Sequence, residues 1–231
     1  MFDEIVKFAE RIKTLSPDKK KKLEEILEDT GVDVVVDLDP EKELTVCIPT
    51  YNSAGTIKRV LDSLMKQEIR PKVKIYDNGS TDGTIELIEA MLRNDVYKDA
   101  DISFDKTNHI PGGKDKNICF MRFKLTELVN TEYLFFLDSD VVLPPGVMKP
   151  ILLEMKKYKT LGMLGLRYDE NPPHVKMGAA ILRTELAKKV KYAWDNQGCD
   201  CVHTAKQIRS MGYDVAFFNF AGGRGKHLKE N

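Results

Sequence analysis

Apolar positions follow two different periods along this chain, and the period changes near residue 44. Before that point the apolar residues recur at helical spacing in two groups, which are Ile5, Phe8, Ala9, Ile12 and Leu15, and then Leu23, Ile26 and Leu27. Two amphipathic helices of this kind need a surface to cover. We therefore expect residues 1–43 to form an N-terminal helical extension that packs on the main domain or on a second copy of the chain.

From residue 44 onward, short apolar runs alternate with amphipathic stretches. The runs predict strands at 44–48, 73–76, 102–104 and 133–137, then at 161–166, 177–182 and 213–218. The stretches between them predict helices at 57–64, 85–91, 118–128, 151–155, 184–190 and 202–211. Strands that alternate with helices are typical of a mainly parallel sheet covered on both faces. We expect residues 44–231 to form one α/β domain.

Polar residues follow three of the predicted strands at their carboxyl ends, in the segments 49–52, 77–84 and 138–140. Ligands of open α/β sheets bind beyond these ends. The third segment carries two carboxylates one residue apart, Asp138 and Asp140, which suits a hard cation such as Mg²⁺ or Mn²⁺. An Asp-x-Asp triplet alone is also common in solvated loops, so the prediction depends on the other two segments.

Charge and cysteine content narrow the class of protein. Lys and Arg together number 36, as do Asp and Glu, so the formal net charge is zero. This balance argues against nucleic acid as a partner. The four cysteines, Cys47, Cys119, Cys199 and Cys201, contain no Cys-x-x-Cys pair, which argues against a zinc site or a disulfide framework and favours a reducing compartment. No signal peptide and no membrane-spanning run is predicted, so we expect a cytoplasmic protein that meets any lipid-linked substrate at the membrane surface.

The sequences LTVCIPTYN (44–52), DNGSTDGT (77–84) and DSD (138–140) together resemble the family 2 glycosyltransferases of GT-A fold. The resemblance covers about residues 44 to 220. It implies a Rossmann-like, three-layer fold and a donor that is a UDP-, GDP- or TDP-linked sugar. It also implies a divalent cofactor, Mn²⁺ or Mg²⁺, and a glycan, lipid-linked or protein acceptor.

The resemblance also implies the residues that hold the nucleotide. Those expected against the base and ribose are Pro49, Thr50, Tyr51, Asn52, Asp77 and Asn78. Many relatives have two aspartates where this chain has Asp77 and Asn78, so the identity of the base stays open. The same segments are also read as strand-to-helix turns with capping side chains.

For the diphosphate and the metal, the resemblance implies a second group of residues. Gly113 and Lys116 lie where the family has a glycine and a basic residue near the diphosphate. Asp140 would bind the metal, while Asp138, beside Ser139, would reach the ribose or a metal-bound water. His227, in a glycine-rich basic tail, corresponds to a histidine on the metal or diphosphate. Solvated lysines and a disordered tail are the alternatives.

The resemblance places the chemistry at Asp200, the general base of inverting relatives. The family has a glutamate directly before this aspartate, and the chain has Cys199. An aspartate at a helix start is also a common N-cap. Trp194 would offer a stacking face to an acceptor sugar, or it would be a core or lid residue.

The sequence thus predicts a metal-dependent, inverting glycosyltransferase. Two alternatives stay open at this point. One is a nucleotide-sugar-binding protein without transfer activity, which the replacement of glutamate by Cys199 favours. The other is a retaining transferase of the same fold, in which Asp200 would not act as a base.

Overall fold

The structure is a computed structural model. It describes Ser16, Asp18 and Lys19 and then residues 39–109, 113–168, 174–193 and 198–228, with the backbone alone at 41 and 113–116. The chain divides into two units, Met1–Leu38 and Asp39–Asn231. Apart from Asp18 and Lys19, which are helical, the predicted helices before residue 39 lie outside the described residues. The strands and helices that follow all belong to the second unit.

The first half of this unit is a β-α-β series. A short helix, α1 (Pro40–Glu43), leads into strand β1 (Leu44–Thr50), helix α2 (Ile57–Met65) and strand β2 (Lys72–Asp77). Helix α3 (Thr84–Leu92), strand β3 (Ile102–Lys106), helix α4 (Gly113–Glu127) and strand β4 (Tyr133–Leu137) follow. Within this series β1 pairs in parallel with both β2 and β4, and β2 with β3.

The second half completes the sheet from the other side. After β5 (Val141–Val142) and helix α5 (Met148–Lys157) come strands β6 (Leu161–Leu166) and β7 (Ala179–Arg183). Helices α6 (Thr184–Ala187) and α7 (Asp200–Ser210) and strands β8 (Asp214–Phe218) and β9 (Lys226–His227) end the described chain. The seven-stranded sheet has the order β3-β2-β1-β4-β7-β6-β8, and β5 pairs with β9 in a separate small sheet.

Within the seven-stranded sheet, β7 alone runs against its neighbours, since it is antiparallel to both β4 and β6, whereas β6 and β8 are parallel. The sheet is therefore mainly parallel, as predicted, and the α/β fold class is confirmed. The predicted strands and helices of the domain are also found. The differences are small: α6 ends at Ala187 instead of continuing to 190, and α7 begins at Asp200.

The central strands β1, β4, β6 and β7 are buried along nearly their whole length, which explains why they read as continuous apolar runs. On one face Leu134 and Phe136 of β4 pack in a cluster with Leu125 of α4 and Ile208 of α7. Side chains alternate along a strand, so Phe135 points to the opposite face, where it is fully buried as well. Among the described residues, no helix is both long enough and apolar enough to span a bilayer.

Candidate functional site

The three polar segments meet at one edge of the sheet, because β1 lies between β2 and β4. Thr50, near the end of β1, is in register with Asp77 at the end of β2. The loop after β1 reaches the loop after β4 through the hydroxyls of Ser53 and Ser139, whose oxygens lie 2.8 Å apart. The loop after β1 and the third segment are therefore joined directly by side chains.

Asn52 and Asp77 hold the first two segments together. Asn52 has a left-handed backbone with φ of 49°, a conformation that asparagine tolerates better than most residues. Its N–H donates to Ser80 Oγ at 2.8 Å, and its Oδ1 accepts from the Thr81 N–H at 2.9 Å. Ser80 donates both its N–H and its hydroxyl to the Asp77 carboxylate, at 2.8 and 2.6 Å. Since Asp77 is fully buried, the carboxylate fixes the shape of this loop.

An open cleft of about 620 Å³ lies beside these segments, lined by residues within 79–86 and 106–109. His109 borders the cleft, stacks on Tyr51 with ring centroids 5.1 Å apart, and approaches the Asn78 carbonyl oxygen at 3.4 Å. Gly79 permits this approach, because a Cβ on its φ of +74° backbone would lie 2.5 Å from the His109 nitrogen. Tyr51 remains 40% exposed, so its ring is available to a ligand at the mouth of the cleft.

The structure describes some of the remaining predicted site residues fully and others only in part or not at all. Pro49 and Thr50 belong to the buried strand β1, and Asn78 is fully buried next to Asp77. Gly113 is the first residue of α4. The side chain of Lys116 and all of Trp194 lie outside the described residues.

Asp138 does not point freely into solvent. Its N–H donates to the Gly178 carbonyl at 2.9 Å, and its Oδ1 accepts from Arg122 Nη2 at 2.7 Å. Gly178 leaves space for the carboxylate, since a Cβ there would lie 2.4 Å from Asp138 Oδ2 and 2.6 Å from the Tyr168 hydroxyl. The loop before β7 therefore shapes the position of Asp138.

Arg122 joins Asp138 to Asp200. This arginine of α4 forms an ion pair with each of the two carboxylates, and its guanidinium lies 5.6 Å from the centroid of the Phe136 ring. The Arg122 and Asp200 side chains are only 3% and 1% exposed, against 30% for Asp138. Burial acts against the charge of Arg122, but the neighbouring carboxylate of Asp138 keeps the pKa of the guanidinium above its ordinary value. The group is thus a fixed cation between two functional candidates.

Asp200 is the first residue of α7, and the N-cap position belongs to Cys199, which makes no side-chain cap. The alternative that Asp200 serves as the N-cap is therefore wrong for this structure. Its carboxylate points to Arg122 instead.

Asp140 and His227 meet where β9 pairs with β5. Strand β9 pairs with β5 so that His227 is in register with Val141, and the Leu228 N–H donates to the Asp140 carbonyl at 2.7 Å. This places His227 Nε2 3.0 Å from Asp140 Oδ2, with the two side chains 40% and 37% exposed. A carboxylate oxygen and an imidazole nitrogen that are both accessible form a donor pair that fits a divalent ion such as Mn²⁺. Asp138, which turns to Arg122, is not part of this pair.

Comparison with known proteins identifies the class. The sequence model of "Glycosyl transferase family 2" matches residues 45–214, and the chain belongs to this family. Among curated relatives, the poly(ribitol-phosphate) beta-N-acetylglucosaminyltransferase TarS of Staphylococcus aureus is 28% identical over 149 residues, which is 58% of this chain and 24% of TarS. The processive diacylglycerol beta-glycosyltransferase of Mycoplasma genitalium is 28% identical over 119 residues, 51% of this chain and 33% of the relative. The chain thus spans about a third or less of the length of these relatives.

Solved structures share the GT-A fold. Residues 1–349 of S. aureus TarS in complex with UDP-GlcNAc match with a TM-score of 0.64 at 20% identity, over 82% of this chain and 59% of that one. The mannosyltransferase PcManGT of Pyrobaculum calidifontis, in complex with GDP-Man and Mn²⁺, matches with a TM-score of 0.64 at 21% identity and the same coverage. These matches confirm the predicted resemblance and fold.

Two residues of the site, Arg122 and His109, were not predicted from the sequence. Arg122 lies on the buried side of α4, one turn from Cys119 and from Leu125, so a charged residue at an apolar helical spacing was its signal in the sequence. His109 carried no sequence signal, because its contact with Tyr51 depends on how the loop after β3 folds back.

Proposed function

We propose that this protein transfers a sugar from a nucleoside-diphosphate sugar to an acceptor hydroxyl, with inversion at the anomeric carbon. One observation carries the proposal: the buried guanidinium of Arg122 forms an ion pair with Asp138 and a second one with Asp200. Arg122 thereby links the third polar segment, where the donor would lie, to the carboxylate of Asp200, which lies outside the three polar segments.

In the proposed reaction, Asp200 accepts the proton of the acceptor hydroxyl as its oxygen attacks the anomeric carbon. The bond from that carbon to the diphosphate breaks on the opposite face, and the bonding electrons leave with the diphosphate. Arg122 would hold the Asp200 carboxylate in a fixed orientation, which a positioned general base requires. The positive charge that develops on the sugar is the kind seen in other glycosyl transfers.

For the donor, the segments after β1 and β2 would hold the base and ribose. Tyr51 and His109, stacked at the mouth of the cleft, offer flat surfaces to a base. Asp140 and His227 would hold the divalent ion, which when bound neutralises charge on the diphosphate. TarS and PcManGT were both captured with a nucleotide sugar, and PcManGT also with Mn²⁺, which supports a donor of this class and a metal.

A thermal-shift screen of UDP-, GDP- and TDP-sugars with and without Mn²⁺ would identify the donor. Stabilisation grows as RT ln(1 + [L]/Kd), which is about 2.7 kcal/mol at 100 times Kd, so one plate ranks the candidates. The best donor is then incubated with Mn²⁺ alone and with simple acceptors, and the products are analysed by NMR.

We expect a metal-dependent shift with one nucleotide class, slow hydrolysis of that donor, and a β-linked product from an α-linked donor. A thermal shift without hydrolysis or transfer would favour the alternative of a nucleotide-sugar-binding protein without transfer activity. A product that keeps the anomeric configuration of the donor would favour the retaining alternative.

A further inference from the structure

A histidine and two cysteines lie together beside Asp200, outside the donor site. His174 precedes β7, Cys199 is the N-cap of α7, and Cys201 is its second residue. One ligand atom from each residue lies within 4.8 Å of the other two, and His174 Nε2 is 3.2 Å from Cys199 Sγ. No zinc motif is visible in the sequence, because His174 is distant from the cysteines along the chain and the cysteines are separated by only one residue.

We propose that His174, Cys199 and Cys201 form a binding site for a soft divalent ion, with Zn²⁺ as the natural occupant. Thiolates and imidazole are the ligands that Zn²⁺ prefers, with bonds of about 2.3 Å to sulfur and about 2.0–2.1 Å to nitrogen. Ligand atoms of a tetrahedral site of this size are about 3.5–3.8 Å apart, so the present spacing needs only small side-chain rotations. Three protein ligands leave a fourth position for water or a further ligand.

The surroundings suit a thiolate-bound cation. The Met177 N–H donates to Cys201 Sγ at 3.3 Å, and this kind of second contact orients metal-binding sulfur. Burial raises the pKa of the Cys201 thiol to about 11, while the positive charge of Arg122 opposes that rise. Burial and nearby Lys176 lower the pKa of His174, which favours the neutral imidazole that a metal requires. The metal would replace the thiol protons that burial otherwise retains.

The site would also act on Asp200, a consequence that rests on the proposed function. The Cys201 thiol lies 3.5 Å from Asp200 Oδ1, where its S–H donates to the carboxylate. Metal binding would release that proton to solvent and would fix Cys199 and Cys201 on each side of Asp200. Zinc would therefore position the general base without touching the donor.

Cobalt substitution in the tag-free full chain tests the site directly. Co²⁺ bound to thiolates shows charge-transfer bands in the near ultraviolet that Co²⁺ bound to oxygen or nitrogen ligands lacks. We expect these bands, displacement of Co²⁺ by about one Zn²⁺ per chain, and loss of the bands in Cys199→Ser and Cys201→Ser. Cys119→Ala, which removes a thiol of α4 outside the cluster, should leave them unchanged.

Circular dichroism would confirm that the variants fold, and Cys199→Ser is well suited because serine is a favoured N-cap. Co²⁺ spectra without thiolate bands, or bands that persist in both cysteine variants, would overturn the proposal. A Cys199–Cys201 disulfide that mass spectrometry still detects under reducing conditions would also overturn it, because no thiolate would then be left to bind Zn²⁺. Since no readout uses sugar transfer, failure of the proposed reaction would leave this result intact.

Discussion

At the scale of single residues, Arg122 is a buried charge that pairs with two candidate carboxylates. It is buried with Asp200 and shared with Asp138, so removing it leaves a carboxylate in the interior without its cation. Removal of one partner of a buried ion pair costs about 3–5 kcal/mol, far more than loss of an exposed pair. In the proposed mechanism, stability and catalysis would therefore depend on the same side chain.

Arg122→Met should lower the free energy of unfolding by about 3–5 kcal/mol, measured by urea denaturation. Arg93→Met is the matched control, because Arg93 is 76% exposed in its pair with Glu89 and should cost at most about 1 kcal/mol. Adding Asp200→Asn to Arg122→Met should recover part of the loss. Equal effects of the two arginine variants would contradict a buried ion pair at Arg122.

Asp200→Asn tests the base. The amide keeps the size of the side chain but cannot accept a proton at neutral pH, and loss of general-base catalysis lowers rates by about 10²–10⁴-fold. Donor affinity should stay near that of the parent, because other residues hold the nucleotide. Transfer assays and calorimetry measure the two quantities, and near-parental transfer by the variant would rule out Asp200 as the base.

Asp140→Asn tests the metal. We expect Mn²⁺-dependent binding of the nucleoside diphosphate to fall at least about tenfold, while the melting temperature of the free protein stays the same because Asp140 is partly exposed. Asp95→Asn, which changes an exposed surface aspartate paired with Lys98, is the control. Calorimetry with and without Mn²⁺ decides the matter: unchanged affinity in Asp140→Asn would remove that residue from the metal site.

At the scale of elements, one short strand pairing and one loop place three of the candidate side chains. The pairing of β9 with β5 brings His227 to Asp140, and the loop before β7 sets the position of Asp138 through Gly178. The antiparallel direction of β7 is essential here, because it presents its preceding loop to the carboxyl end of β4.

Gly178→Ala tests the influence of that loop. The added methyl group would overlap the Asp138 carboxylate and the Tyr168 hydroxyl, so we expect transfer to fall at least about tenfold, the result of a small displacement of a catalytic group. Gly55→Ala is the control, because its Cβ would meet nothing within 4 Å. Kinetic assays of both variants, with melting curves to check folding, would show whether the loop matters; parental activity in Gly178→Ala means that it does not.

At the scale of the whole molecule, we propose that the domain folds and binds the nucleotide without the N-terminal extension. The second unit begins with its own local contacts: Asp39 accepts from the Lys42 N–H at the start of α1, and Glu43 pairs with Lys156 of α5 at 2.7 Å. A chain that begins at Asp39 therefore keeps the contacts that anchor this end of the domain.

We expect the 39–231 variant to fold, to bind the nucleotide as the parent does, and to be monomeric. Light scattering of parent and variant tests the expectation that the extension packs on a second copy. If the parent is also monomeric and equally active, that role is excluded. If the variant aggregates while the parent stays dispersed, the extension covers the domain itself.

The sequence by itself determined the α/β class, the order of the strands and helices in the domain, and the three segments at the strand ends. These features depend on local periodicity and on residues close in the chain, such as Asp77 with Ser80. Apolar runs of strand length between amphipathic helices leave few ways to bury both faces of a sheet.

Only the tertiary structure decided which side chains meet across elements. Arg122, Asp138 and Asp200 come from α4, the end of β4 and the start of α7, and His174 reaches Cys199 and Cys201 from the segment before β7. Such contacts depend on strand direction, register and loop path, which no short-range pattern records. The periodicity of the chain determines which face of a helix or strand is buried. The packing of distant segments determines which charged side chains come together in the interior.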